Sequence, residues 1–124
     1  MRILLDTSIA IWVMQDYPMP AEMRQRVEEA AGVFVSSVAV WEIAIKVSIG
    51  KLRLDVDQLA GRLSTAGFQQ LPITWEHSRL VRDLPFHHRD PFDRMLVAQA
   101  ISEPLNLLTS DSALAKYSDL VIVL

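Results

Sequence analysis

The sequence predicts an α/β fold, a three-layer α/β/α sandwich around a central parallel sheet of about five strands. Two observations carry this prediction: short runs alternate with longer segments of helical periodicity, and most of the runs are predominantly apolar, as expected for strands of a sheet covered on both faces. The runs cover residues 2–5, 33–36, 68–73, 106–109 and 121–124. Because the 124 residues contain no linker, internal repeat or low-complexity stretch, we expect one domain over residues 1–124.

Helical patterns fill every connection between these strands. They cover residues 8–15, 21–31, 38–49, 56–66, 75–84, 91–101 and 112–117. Asp55 and Asp90 stand where N-caps are expected, and Pro91 occupies a favoured first helical position. Residues 38–49 are apolar nearly all round, which predicts a buried helix.

The composition is that of a globular protein, 51% hydrophobic and 22% charged. The chain has no cysteine, which excludes disulfides, thiol catalysis and cysteine-ligated zinc and suits a cytoplasmic protein. Asp6 interrupts the apolar N-terminal run, and no stretch is long enough to span a bilayer, so we expect neither a signal peptide nor a membrane partner. The net charge of −3 argues against binding of nucleic acid by bulk electrostatics.

One carboxylate is hard to explain as an ordinary surface group. At about 100° per residue, Asp93 falls between Leu96 and Val97 on the apolar side of its helix, whereas Arg94 and Ala98 point the other way. A buried carboxylate is costly unless it is paired with a cation or hydrogen-bonded. We therefore expect a cation near Asp93.

Three more acids are predicted to lie beside it. Asp6 directly follows the first strand, Asp111 follows the fourth, and Glu42 lies near the start of the helix after the second strand. Functional groups of a parallel sheet gather at the carboxyl ends of its strands. Each acid also has a local explanation, such as a turn, a helix cap or a pair with Lys46, but together they favour one acidic pocket.

Such a pocket requires a compensating charge. Two carboxylates about 5 Å apart repel by roughly 3 kcal/mol at an effective dielectric near 20. Ligand sets of oxygen alone select hard ions, so we expect Mg²⁺ or Mn²⁺. Such an ion can activate a water for attack on a phosphodiester, which makes phosphodiester hydrolysis the predicted chemistry.

Four segments resemble, in order and spacing, the motifs of PIN-domain ribonucleases, and most closely those of VapC-type toxins of bacterial toxin–antitoxin pairs. They are "RILLDTS", "SSVAVWEIAIK", "HRDPFDRMLVAQA" and "LLTSD". The resemblance covers nearly the whole chain and implies a metal-dependent endoribonuclease that acts on RNA. It assigns the catalytic, metal-binding site to Asp6, Glu42, Asp93 and Asp111. It also implies that Thr7 and Thr109 are hydroxyl partners of these ligands.

Several neighbouring residues keep more than one interpretation. Asp90 is a helix cap or a support of the site rather than a direct ligand. Arg89 and Arg94 are RNA contacts or ordinary solvated surface, and His87 and His88 are surface or substrate-contact residues. The alternative to a nuclease is a catalytically inactive PIN-like module that binds RNA or protein.

The resemblance also implies partners, since VapC-type relatives form homodimers and are silenced by an antitoxin protein whose C-terminal segment lies in an apolar groove. Residues 9–14 are more apolar than a single core-facing stripe requires. We expect an antitoxin groove formed by Trp12, Met14, Met23 and Val27. The alternative is that these side chains belong to the core.

Overall fold

A computed structural model describes residues 1–16 and 18–124. Its centre is a five-stranded sheet in the order β3-β2-β1-β4-β5, in which every neighbouring pair is parallel. The strands are β1 (Arg2–Leu5), β2 (Gly32–Ser36), β3 (Gln69–Leu71), β4 (Asn106–Thr109) and β5 (Val121–Val123). The predicted parallel sheet of five strands is confirmed.

Six α-helices connect the strands in the described part of the chain. They are α1 (Thr7–Met14), α2 (Ala21–Glu29), α3 (Ser37–Ser48), α4 (Val56–Thr65), α5 (Trp75–Leu80) and α6 (Pro91–Ser102). The helix predicted over 75–84 is shorter, because α5 passes into a 3₁₀ turn and Leu84, which precedes Pro85, is extended. Residues Ser112–Lys116 also form a 3₁₀ helix.

The core lies on both faces of the sheet. Along β1, Ile3 and Leu5 point into one layer and Leu4 into the other, as the two-residue period of a strand requires. The first layer is filled mainly by α1, α2, α3 and α4, and the second by α6 with the chain around it. This arrangement confirms the three-layer α/β/α sandwich.

Burial corrects two predictions about helix faces. The segment 38–49, predicted to be a buried helix, is not buried all round, since Trp41 in α3 and Ile49 at its C-cap are 57% and 58% exposed. Met14 and Met23 are buried in the first core layer and cannot form the wall of an open groove. Trp12 and Val27 are partly buried against the same layer.

In the described residues, no helix combines the length and the apolar character that crossing a membrane requires.

Candidate metal centre

The candidate site lies where the strand order reverses, at the carboxyl ends of the neighbouring strands β1 and β4. Asp6 directly follows β1, and its backbone N–H donates to Leu108 O at 3.0 Å. The Thr109 hydroxyl donates to Asp6 Oδ2 at 2.5 Å and accepts from the backbone N–H of Asp111 at 3.0 Å. One threonine thus ties together the acids that follow the two strands.

Asp6 is the most buried acid of the site, with 5% of its surface exposed. Burial raises the pKa of its carboxyl, the hydrogen bond from Thr109 lowers it, and the charge of Glu42 raises it again. The net shift is upward, so the protein disfavours the ionised form of Asp6 when no cation is near.

Glu42 reaches the site from the second turn of α3. Ser36 caps this helix by accepting from the backbone N–H of Val38 at 3.0 Å. Glu42 Oε2 pairs with Lys46 Nζ at 2.8 Å, so the pair considered from sequence does form, although the glutamate itself is buried. The hydrogen bond to Glu42 raises the pKa of Lys46.

The other oxygen of Glu42 is an unusual feature. Glu42 Oε1 is buried and has no hydrogen-bond partner among the described residues, and the same is true of Thr7 Oγ1. A buried polar atom without a partner costs about 1–3 kcal/mol. The structure therefore gives Thr7 no bond to an acid, and it leaves one carboxylate oxygen available to a cation.

Asp93 lies in the first turn of α6 and is largely covered, with 16% of its side chain exposed. Asp90 caps this helix, because its Oδ1 accepts from the backbone N–H groups of Phe92 at 2.8 Å and Asp93 at 3.3 Å. Burial, followed by the charges of Asp6 and Asp90, raises the pKa of Asp93 to about 7. This carboxyl is the one most clearly poised to ionise when a cation binds.

Asp111 is the most accessible of the four acids. Its Oδ1 accepts from the backbone N–H of Ala113 at 2.9 Å and so caps the following 3₁₀ helix. Its Oδ2 faces His88 Nε2 at 3.0 Å. The local explanation considered from sequence, a helix cap, is correct and leaves the second oxygen directed into the site.

His88, predicted to be a surface or substrate-contact residue, lies beside two acids of the site. Its Nε2 lies 3.0 Å from Asp111 Oδ2 and 3.6 Å from Asp93 Oδ2, so it faces the acids rather than bulk solvent. One ligand atom from each of these three residues lies within 4.8 Å of the others. The sequence signal was its place two residues before the Asp90 cap, which brings the ring to the start of α6.

Arg94 corrects an expectation of RNA binding. It is 5% exposed, and its guanidinium donates to the carbonyl oxygens of Pro85, Val81 and Leu84 at 2.8–3.2 Å. It is buried because α6 packs against α5 and the segment after it as well as against the sheet, so this helix has no solvent face at Arg94 or Ala98. Arg94 is thus a structural residue, whereas Arg89 is exposed.

The carboxylate oxygens of the acidic site fit a hard divalent cation. Asp6, Glu42 and Asp93 interact electrostatically with one another, and the set offers carboxylate oxygens of which one, Glu42 Oε1, has no other partner in the described structure. Mg²⁺ and Mn²⁺ prefer such oxygen ligands.

Comparison with known proteins identifies the family. The sequence model of one protein family, the PIN domain, matches residues 3–120 of this chain. The chain belongs to the PIN domain family. No protein with a curated description matches it significantly.

Several solved structures, one of them a toxin–antitoxin complex, share the fold of this PIN domain. VapBC2 from Rickettsia felis, bound to a promoter DNA fragment, matches at 15% identity over 100% of this chain and 98% of that chain, with a TM-score of 0.73. A toxin–antitoxin complex from Klebsiella pneumoniae matches at 17% identity over 98% and 96%, with a TM-score of 0.68. FitAcB from Neisseria gonorrhoeae matches at 20% identity over 98% and 96%, also with a TM-score of 0.68. At these identities the likeness establishes the fold.

Proposed function

We propose that this PIN domain is an Mg²⁺- or Mn²⁺-dependent endoribonuclease, formed by residues 1–124 as one domain. The observation that carries the proposal is the convergence of acids from four segments at the point where the strand order reverses. Two features support it, the raised pKa of Asp93 and the buried oxygen of Glu42 that has no partner among the described residues, since both are unfavourable without a cation.

In this proposal Asp6 and Asp93 bind the ion directly, and Glu42 and Asp111 complete the pocket. The bound ion supplies a water of lowered pKa and offsets negative charge on the phosphate. The hydrogen bond from Thr109 fixes the orientation of Asp6, and the Asp90 cap fixes the first turn of α6 that carries Asp93. The acids alone repel an RNA phosphate, so cleavage requires the ion.

The proposed substrate is single-stranded or looped RNA. A phosphate in a loop can approach a partly open acidic site through the ion, and bases in loops can be turned outward. Exposed Arg89, one residue before the α6 cap, is the proposed contact to the RNA backbone.

The direct test is cleavage of structured RNAs in Mg²⁺, in Mn²⁺ and in EDTA, with Asp6→Ala as the control. Cleavage in either metal, and none in EDTA or by the variant, supports the proposal. An equally pure protein that binds RNA without cutting it would instead support the alternative, an inactive PIN-like binding module. The presence of acids at all four positions argues against that alternative.

We further propose that the chain is the toxin of a type II toxin–antitoxin pair that acts in the cytoplasm and is silenced by a cognate antitoxin protein. Support comes from the toxin–antitoxin complexes that share its fold. With Met14 and Met23 in the core, the proposed antitoxin surface is reduced to the region around Trp12 and Val27. An antitoxin arginine or lysine that reaches the acids would offset the same repulsion as the metal.

The proposed homodimer uses a different surface, an apolar groove of about 700 Å³ bordered by α3, the segment after α5 and the start of α6. Its rim carries Trp41 and Phe86, which are 57% and 84% exposed, and Trp41 packs edge-to-face on Phe92 at 5.1 Å between ring centroids. Exposed apolar patches of this kind mark interfaces. The groove lies next to the acidic site, because Phe92, which lines it, directly precedes Asp93.

Solution mass tests this dimer. We expect Phe86→Glu to convert the dimer to monomer in light scattering after gel filtration, while the exposed control Ile49→Glu leaves it unchanged. A dimer that persists in Phe86→Glu would contradict the proposed surface.

A further inference from the structure

Hydrogen bonds hold both the backbone and the ring of His88 in place. Its backbone N–H donates to the hydroxyl oxygen of Tyr117 at 2.9 Å, and that hydroxyl donates to His88 O at 3.4 Å. The Tyr117 oxygen also accepts from Arg94 Nη1 at 3.1 Å, so its donor and both of its acceptor sites are used. Buried Arg94 thus anchors Tyr117, and Tyr117 anchors His88.

The hydrogen bonds of the ring determine where its proton lies. The backbone N–H of Asp90 donates to His88 Nδ1 at 3.0 Å, so this nitrogen is an acceptor and carries no proton. The proton of the neutral ring is therefore on Nε2, which faces Asp111 Oδ2 at 3.0 Å and Asp93 Oδ2 at 3.6 Å.

We propose that His88 is a positioning residue of the acidic site, a neutral Nε2–H donor that holds Asp111 close to Asp93 and does not itself bind the metal. Ligation through Nε2 would require that nitrogen to lose its proton while Nδ1 still accepts from Asp90. The ring would then become an imidazolate or would have to break its bond to the α6 cap. The geometry favours a donor to the ligands over a ligand.

This role connects two elements that carry the acids. Through Nδ1 the ring is tied to the start of α6, and through Nε2 it is tied to Asp111 beyond the end of β4. Partners that hydrogen-bond to metal ligands fix their orientation, and their removal typically costs about 10–100-fold in metal affinity or activity. The metal part of this inference rests on the proposed function, whereas the position of the proton does not.

The first test is the position of that proton in the metal-free protein. Nitrogen-15 NMR at about pH 8, above the ordinary titration range of histidine, should show a proton on Nε2 and none on Nδ1 of His88. The Nε2–H signal should persist when Mg²⁺ is added. A proton on Nδ1, or loss of the Nε2–H signal on addition of Mg²⁺, would overturn the proposal.

The second test is Mn²⁺ affinity by titration calorimetry. We expect His88→Phe to weaken binding by about 10–100-fold and His88→Gln, which retains a side-chain N–H, to recover part of the loss. The control is His87→Gln, because the exposed His87 ring packs on Tyr117 at 5.0 Å and makes no bond to an acid within residues 1–16 and 18–124. Wild-type affinity in His88→Phe would overturn the proposal. Failure of the wild type to bind Mn²⁺ would overturn the proposed function instead, and the NMR result alone would then decide the role of His88.

Discussion

Thr109 donates a hydrogen bond to Asp6 Oδ2 at 2.5 Å across 103 residues of sequence, from the last residue of β4 to the first residue beyond β1. Both residues are buried, and the same hydroxyl accepts from the backbone of Asp111. This contact fixes the positions of Asp6 and Asp111 at the point where the strand order reverses. It also lowers the pKa of Asp6 against the upward effect of burial.

Removal of this hydroxyl should make metal binding more dependent on pH. We expect Thr109→Val, which has nearly the same shape, to raise the pKa of Asp6 further and to shift the onset of Mn²⁺ binding to higher pH. The buried Asp6 oxygen would lose its partner, so the free energy of unfolding should also fall by about 1–3 kcal/mol. Calorimetric titrations at several pH values measure the first effect and urea denaturation the second. Thr109→Ser is the matched control, and an unchanged pH onset in Thr109→Val would contradict this role.

Replacement of Asp93 separates function from stability. We expect Asp93→Ala to abolish RNA cleavage and to leave the metal-free protein as stable as the wild type or more stable, because one of several mutually repelling carboxylates is removed. Thermal unfolding in EDTA and a cleavage assay in Mg²⁺ measure the two effects. A large loss of stability with cleavage retained would show that Asp93 is structural.

The raised pKa of Asp93 also predicts how stability depends on pH. In the unfolded chain this carboxyl ionises near its ordinary pKa of 3.8, whereas in the folded protein it keeps its proton until about pH 7. The folded state therefore binds more protons across this window, and the stability of the metal-free protein should fall as the pH rises from about 4 to about 7. Allowing for partial exposure, the fall is on the order of 2 kcal/mol.

Urea denaturation in EDTA across this pH range measures the slope. Asp93→Asn should reduce the slope without removing it, because the pKa of Asp6 is raised as well. Saturating Mg²⁺ should counteract the decline above about pH 5, since the ion binds the ionised carboxylates. A slope that is identical in wild type and Asp93→Asn would contradict the assignment.

The antitoxin surface is tested at Trp12. We expect Trp12→Ala, once shown to be folded by circular dichroism, to lose at least about tenfold in affinity for the cognate antitoxin while retaining RNA cleavage. Trp75→Ala is the control, because Trp75 is 94% exposed and belongs to α5 rather than to α1. Wild-type affinity in Trp12→Ala would place the antitoxin elsewhere.

The layered fold and the position of the acids could be predicted from sequence because they depend on local patterns. Strand ends determine where Asp6 and Asp111 lie, and the proline after Asp90 marks the start of α6. The environment of Arg94 could not be predicted, because helical periodicity does not reveal that α6 is covered on both sides. The burial of Met14 and Met23 was not predicted for a related reason. Helices α1 and α2 both pack against the same core layer, so more of their apolar side chains are buried than the single apolar stripe of one helix would suggest.

The role of His88 depends on tertiary contacts that no local pattern reveals. Its ring meets Asp111 only because Tyr117, 29 residues away in sequence, holds the backbone of His88 in place. The buried Glu42 oxygen that lacks a partner in the described part of the chain could not be predicted either, because the spacing to Lys46 predicts a complete surface pair. Long-range packing decides both features.

In the proposed reaction water, rather than the RNA 2′-hydroxyl, attacks the phosphodiester, and the divalent ion that Asp6 and Asp93 would hold would supply the activation. The most direct measurement is cleavage of an RNA that carries a single 2′-deoxy nucleotide at the cut site, in Mg²⁺ and in EDTA, with analysis of the product ends. We predict that the substituted RNA is cut in Mg²⁺, that no 2′,3′-cyclic phosphate forms, and that EDTA stops the reaction. Cleavage that persists in EDTA, or that yields 2′,3′-cyclic phosphate ends and fails on the 2′-deoxy substrate, would contradict it.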